Sequence, residues 1–236
     1  MGYRLWSALQ PIVNLQTGSV LAHEALLRGA PGSAWESPDV LFAKATALGQ
    51  RVTLEVMARQ LSLKRLSDLA PTQKLFMNVD AHFPEIPIAS RQARIDPKRV
   101  VLEISEQQPI LTNPTLLRQV QYWRSAGHAI ALDDYGAGYM GIGALLTLKP
   151  DLLKLDRVII ADLNADSMRQ TIVSHIVSMC HDLGITLVAE GIETSAELHV
   201  LQELGVTLGQ GYLLGRPHMQ PLTTVKLPIK MLATQL

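Results

Sequence analysis

Short apolar runs recur along most of this chain, and stretches of helical periodicity separate all but the first two. Such runs, bounded by turn residues, read as strands, and the periodic stretches between them read as helices. Leu5 to Val13 is the first strand, Asn14-Leu15-Gln16-Thr17-Gly18 a turn, and Val20 to Leu27 the second strand. That connection is too short for a crossover helix, so these two strands run antiparallel. Further strands cover Lys74–Asp80, Val100–Glu106, the run from Ala129 to the paired Asp133 and Asp134, Leu152–Asp156, Thr186–Glu190 and Val206–Gln210. A helix opens at Ser37-Pro38, with Ser as N-cap and Pro in the first turn, and runs to about Leu69 with a break near Gly49. Asn113-Pro114 opens another that ends near Gly127, and a short one covers Ile142 to Leu148. Asp166 caps a helix that stops at Gly184, and Thr194 with Glu197 forms a capping box for the helix that Gly205 ends. Right-handed crossovers through helices give a mostly parallel sheet, and about eight such strands close into a barrel. The expected class is therefore α/β, a TIM-like (β/α)8 barrel with an antiparallel first strand. The 236 residues fit one such domain over 1–236, with no assignment for the tail 220–236.

The residues that end the strands carry the chemistry. Glu24, Asn78, Glu103, Asp133, Asp134, Lys154, Glu190 and Gln210 each close an apolar run. The C-terminal strand ends of a barrel converge on one mouth, so these residues are expected to face one another. Five carboxylates in one place repel unless cations neutralise them. The donors are hard oxygens without His or Cys, which selects Mg2+ or Mn2+ over zinc, and several carboxylates at one mouth point to two ions. Two-metal sites clamp a phosphoryl group during in-line attack by water. Taken singly, Asp133-Asp134 followed by Gly136 and Gly138 is also what an ordinary exposed turn looks like.

With 21 basic and 21 acidic residues the formal charge is zero, so no bulk electrostatic drive toward a nucleic-acid polymer or a membrane surface is indicated. No apolar run is long enough to span a bilayer, and no signal peptide is evident. The single Cys180 lies in an apolar helical pattern and allows no intrachain disulfide, which suits a reducing cytoplasm. His23 neighbours Glu24, so strand alternation points it away from the mouth. His175, Cys180 and His181 share a helix without the further ligands that a metal site needs.

Glu24-Ala25-Leu26 with Leu27-Arg28 resembles the signature of EAL-domain proteins, the bacterial cyclic di-GMP phosphodiesterases. The resemblance runs on through Gln10-Pro11-Ile12, Asn78-Val79-Asp80, Glu103-Ile104-Ser105-Glu106, Asp133-Asp134-Tyr135-Gly136, Lys154-Leu155-Asp156, Ala189-Glu190-Gly191-Ile192-Glu193-Thr194 and Gln210-Gly211-Tyr212, in the family's order. It implies metal ligation by Glu24, Asn78, Glu103, Asp133, Asp134 and Glu190, with Lys154 and Glu190 beside the attacking water. It places Gln10, Leu26, Arg28, Asp156, Glu193, Gln210 and Tyr212 around the dinucleotide, and Glu106 as the anchor of the loop after the paired aspartates. It implies hydrolysis of cyclic di-GMP to linear 5′-pGpG and a homodimer whose contacts involve that loop and the following helix. The barrel begins almost at Met1, so no sensor domain is expected in this chain. The family's usual Asn-x-Ser is here Asn78-Val79-Asp80, its Glu-x-Thr-Glu is Glu103-Ile104-Ser105-Glu106, and its loop Thr and Ser are replaced by Ala137 and Met140-Gly141. None of these changes removes a metal ligand; the loop changes bear on dimer-linked regulation and on rate. The competing reading is a catalytically weak receptor or interaction scaffold on the same fold, and a weaker third is a metal-dependent barrel enzyme acting on another phosphodiester.

Overall fold

The computed structural model describes residues 5–85, 87, 88, 95–138 and 140–228, so the central Tyr139, the first four residues and the last eight lie outside it. Among the described residues eight strands close a barrel in sequence order: β1 Trp6–Asn14, β2 Val20–Arg28, β3 Lys74–Asn78, β4 Val100–Ser105, β5 Ala129–Tyr135, β6 Leu152–Leu155, β7 Thr186–Ala189 and β8 Leu208–Gly209. β1 runs antiparallel to both β2 and β8, and every other neighbouring pair is parallel. The barrel with one reversed strand is thus as expected.

The helices follow the expected punctuation. α1 (Pro38–Ala47) and α2 (Arg51–Lys64) flank Gly49, and a 3-10 turn, Arg65–Asp68, continues α2. Ser37 is the N-cap of α1 but makes no side-chain cap bond, so Pro38 alone presets that first turn. α3 (Pro114–Ala126) is capped by Asn113, whose side chain accepts from the Leu116 amide, and it ends on Gly127 at φ 104°. α4 is Gly141–Leu148 and α5 is the single turn Arg157–Ile160. α6 (Ser167–Leu183) runs from the Asp166 cap to Gly184, and α7 (Ser195–Glu203) carries both bonds of the Thr194–Glu197 capping box.

Several strands are shorter than the apolar runs suggest. β6 stops at Leu155 because Asp156 turns outward to cap α5, accepting from the Val158 amide at 2.7 Å. β7 stops at Ala189 and β8 is only two residues long. β1 extends well past that short partner, and the C-terminal segment fills the gap. Leu9 and His218 exchange both main-chain bonds, at 2.8 and 3.0 Å, and Ser19 bridges Thr224. The segment up to residue 228 therefore seals the β1/β8 seam and borders a hairpin that has no crossover helix of its own.

Alternation along the strands separates two apolar layers. Leu75, Met77, Val100, Leu102, Ile104, Ile130, Leu132 and Leu153 face outward and pack under helix residues such as Leu116, Trp123, Leu145, Val173 and Leu198. Ile12, Ala22, Phe76, Val101, Ala131 and Val188 form a separate cluster that fills the barrel interior. Cys180 is a core residue of the outer layer, and burial pushes its thiol up to about 11. His23 is also outward and fully buried; burial, with Arg65 nearby, lowers it to about 4, and Nε2 accepts from the Leu222 amide at 2.9 Å.

Candidate active site

The interior layer fixes the site by register. Two residues beyond Ala22, Phe76, Val101, Ala131 and Val188 on the parallel-running strands stand Glu24, Asn78, Glu103, Asp133 and Glu190. The same step from Leu152 and Leu208 reaches Lys154 and Gln210, and on reversed β1 it runs backward from Ile12 to Gln10. A side-chain period of two puts all eight on the inner face, one layer above the apolar plug.

Asp134 breaks this rule. Alternation would turn it away from Asp133, yet the β5–β6 register slips between Leu132 and Tyr135, and Asp134 adopts φ 57°. This left-handed conformation is tolerated by Asp better than by most side chains. It brings the second carboxylate round to the mouth. Ser105 Oγ donates to Asp134 Oδ2 at 2.6 Å, and the Asp134 amide donates to Asp133 Oδ1 at 3.0 Å. The replacement of Thr by Ser in the Glu103–Glu106 stretch therefore keeps a hydroxyl on the paired aspartates.

Lys154 is fully buried at the centre. Its Nζ lies 2.5 Å from Glu103 Oε1, 2.7 Å from Glu190 Oε1, 3.0 Å from Asp133 Oδ1 and 3.6 Å from Glu24 Oε2. Burial opposes its charge, but Asp133, Glu103, Glu190 and Glu24 outweigh that and hold the ammonium well above its usual range. One ammonium does not neutralise all its neighbours. Burial, then the charges of Glu24 and Asp133, pushes Glu103 well above the carboxylate range. Burial and Asp133 push Glu190 up in the same way, and burial followed by Asp133 raises Asp134.

The arrangement fits a divalent cation. Ligand oxygens of Glu24, Glu103 and Asp133 lie within 4.8 Å of one another, as do those of Asp133, Asp134 and Glu190. Glu103 Oε1 and Lys154 Nζ, though in ion-pair contact, are buried without an aligned hydrogen bond. Close-set carboxylate oxygens whose negative charge exceeds what one ammonium balances are what a hard cation relieves. Asn78 presents its Nδ2, which donates to Glu24 Oε1 at 3.0 Å and Glu103 Oε2 at 3.4 Å. As a ligand, its amide turns over so that Oδ1 faces the acids, an exchange of near-isosteric groups.

A cleft of about 270 Å³ opens beside the acids. Six of the seven residues expected around a dinucleotide line it: Gln10, Leu26, Asp156, Glu193, Gln210 and Tyr212. Gln210 Nε2 donates to Gln10 Oε1 at 3.0 Å and Glu24 Oε2 at 2.7 Å, tying the cleft to the acid cluster. Arg28 is not in this lining; it stands further along β2, with Nη1 donating to the Leu27 carbonyl at 2.8 Å. Two cationic residues escaped the sequence reading. Arg157 lines the cleft, and Arg51 pairs with Asp80 at 2.6 Å in a second cavity of about 340 Å³ on the Leu26 and Asn78 side. Their local sequence offers only a faint mark: each is the first residue of a helix, where the helix dipole favours acids over basic residues.

Glu106 is buried under the loop after β5. Its Oε1 accepts from the amides of Gly136 at 2.8 Å and Gly138 at 2.6 Å, and Oε2 accepts from Gly141 at 3.2 Å. The reach expected of it is present.

The comparisons with known proteins agree with this geometry. The EAL domain model matches residues 4–217. The probable cyclic di-GMP phosphodiesterase PdeB of Escherichia coli K12 is 32% identical over 220 residues, covering 86% of this chain and 41% of PdeB, so the chain spans about two-fifths of that relative. The PaMucR phosphodiesterase, solved as a c-di-GMP complex, superposes with TM-score 0.80 at 28% identity over 91% of this chain and 92% of its own. BlrP1 of Klebsiella pneumoniae, solved with cyclic di-GMP and calcium or manganese, gives TM-scores of 0.82 and 0.81 at 31% and 30% identity, each over 94% of this chain and 57% of its own. With its strand-end acids, reversed first strand and near full-length match, this chain belongs to the EAL domain family.

Proposed function

We propose that this chain hydrolyses one phosphodiester bond of cyclic di-GMP to give linear 5′-pGpG. The observation that carries the reading is the pair of carboxylate triads sharing Asp133 at the edge of a cleft. In this reading Glu24, Asn78, Glu103 and Asp133 hold one divalent ion, and Asp133, Asp134 and Glu190 hold a second. Bound there, Mg2+ or Mn2+ supplies Lewis-acid stabilisation of phosphoryl charge and acidifies water. The protein's own groups do the rest. Lys154 fixes the spacing of the acids it contacts and orients the attacking water, with Glu190 as the acid facing that water from the cleft side. Asp134, held by Ser105, keeps its carboxylate directed at the same point. Gln10, Gln210, Asp156 and Glu193 offer the polar edge for guanine, Tyr212 offers a ring to stack on, and Leu26 an apolar support. Arg28 pairs with a phosphate oxygen by leaving its main-chain contact.

Homodimerisation belongs to the same reading. α4 exposes Ile142 at 62% and Leu146 at 66% directly after the loop that Glu106 anchors. No helix among the described residues is long and apolar enough to cross a membrane, and the lone buried Cys180 fits a reducing cytoplasm, where we place the reaction.

The test is incubation with cyclic di-GMP in Mg2+, Mn2+, Ca2+ or excess chelator, with product analysis. Linear 5′-pGpG with Mg2+ or Mn2+, and none with chelator, is expected. Calcium is expected to fill the site without turnover, because its looser coordination spoils two-ion geometry. Tight binding without hydrolysis under every metal would assign the receptor role instead.

A further inference from the structure

We infer that Arg157 is a positioning residue for guanine selectivity, holding Glu193 as an acceptor on the cleft wall. This rests on the function proposed above. Arg157 follows Asp156, opens α5 and lines the same cleft. Its guanidinium crosses to the loop after β7, where Nη1 donates to the Gly191 carbonyl and Nη2 lies 3.0 Å from Glu193 Oε2. Nη1 also lies 3.7 Å from Glu197 Oε1. Glu197 Oε2 in turn accepts from the Glu193 and Thr194 amides, each at 2.9 Å. One side chain therefore ties together the carbonyl, the carboxylate and the buried anchor of the loop that links Glu190 to α7.

The chemistry of the base gives this a purpose. The Watson–Crick edge of guanine presents two adjacent donors, N1–H and the exocyclic amine, which one carboxylate accepts together; adenine presents an acceptor at N1. Arg157 engages Glu193 Oε2 from the side and leaves Oε1, with the other lone pair of Oε2, for the two donors of the base. Its positive charge also offsets the repulsion among Asp156, Glu190 and Glu193, three acids that line the same cleft. Arg157 and Glu193 are each 40% exposed, so their pairing adds little to folding in the free protein. A bound base excludes water from the pair and strengthens it there.

The experiment is calorimetric titration of cyclic di-GMP and cyclic di-AMP in calcium, with wild type, Arg157→Ala, Arg157→Lys and Glu193→Gln, beside steady-state kinetics in manganese. Wild type is expected to prefer the guanine ligand by about 100-fold or more, as a site built around hydrogen-bond partners does. Arg157→Ala should weaken cyclic di-GMP about tenfold and cyclic di-AMP by less than about threefold, raising KM with kcat nearly unchanged. Arg157→Lys should restore part of the loss. Equal weakening of both ligands, or no change in either, overturns the inference. Should Arg157→Ala fail to fold, Glu193→Gln must give the same contraction of selectivity, and its absence overturns the inference as well. Wild type that binds neither nucleotide defeats the proposed function; wild type that binds cyclic di-GMP beside an unaltered Arg157→Ala defeats only the role of Arg157.

Discussion

At the scale of single residues, the site is a layer of a barrel interior rewritten in charge. Glu24, Glu103 and Asp133 occupy positions that a side-chain period of two would give to further Val or Ala, and Lys154 stands among them as one charge against several. Glu24→Ala and Asp133→Asn are each expected to lower turnover by at least about 100-fold, since in the proposed mechanism the metals these acids hold supply charge stabilisation. The fold should survive in both, judged by circular dichroism and urea titration; near wild-type turnover in either would refute the ligand assignment. Glu197 makes a different prediction, one of stability. Burial opposes its charge, but bonds from the Glu193, Thr194 and Asp162 amides and the Thr194 hydroxyl overcome this and hold the carboxyl below its usual range. A depressed acid stabilises the fold above its unfolded pKa, and that contribution fades as pH falls through the folded value. Glu197→Gln should cost about 1–2 kcal/mol at pH 7, and the gap to wild type should shrink below about pH 4. A gap independent of pH, measured by denaturant titration, would show that packing and not charge is at work. Most of these residues were legible because each ends an apolar run. Asp134 was legible as a residue but not as geometry: alternation forbids adjacent acids from sharing a face, and only the register slip and positive φ resolve it.

At the scale of elements, the loop between β5 and α4 is held by one carboxylate. Glu106 gathers three loop amides, and a methyl group on Gly138 would come within 2.9 Å of its side chain. The Glu106 amide also donates to the Asp133 carbonyl at 2.9 Å, so the loop anchor is tied through the main chain to the acid proposed to bridge the two ions. Glu106→Ala leaves three amides to find water and frees a glycine-rich segment whose ordering entropy is large. The expected outcome is divalent-ion affinity reduced by about tenfold or more with the barrel intact, and weaker self-association by sedimentation if α4 forms the dimer contact. Unchanged metal affinity and turnover would remove this loop from the mechanism. The glycine spacing and the position of Glu106 three residues past Glu103 made the contact foreseeable; its consequence for assembly rests on the exposed Ile142 and Leu146, which periodicity alone places only on a short helix.

At the scale of the whole molecule, the reversed first strand creates a problem that the chain's last described segment answers. A hairpin replaces the first βαβ unit, so no crossover helix follows β1, and β8 is too short to pair along it. His218 exchanges main-chain bonds with Leu9 of β1, Thr223 O accepts from the Val20 amide of β2, the Val225 amide donates to Gly18 O in the turn between them, and Val225 and Leu227 pack on the core. No periodicity announces such a segment, because its partners are strand edges and not a face, which is why residues beyond Gln220 resisted assignment from sequence. Gln73 is one of the side chains that join this segment to the barrel. It is buried, its Nε2 donates to Val20 O at 3.1 Å and Leu222 O at 2.9 Å, and its Oε1 accepts from the Ala70 amide at 3.1 Å. Gln73→Ala deletes three bonds at once and leaves buried groups unpaired, so a loss of about 2–4 kcal/mol is expected. The damage should also reach the cleft, since Gly215, where the segment departs, accepts from Gln10 Nε2 at 3.1 Å. Denaturant titration beside cyclic di-GMP titration reads both effects. A loss under about 1 kcal/mol would mean that the main-chain bonds close the seam unaided, and full nucleotide affinity in a destabilised variant would separate the seam from the site.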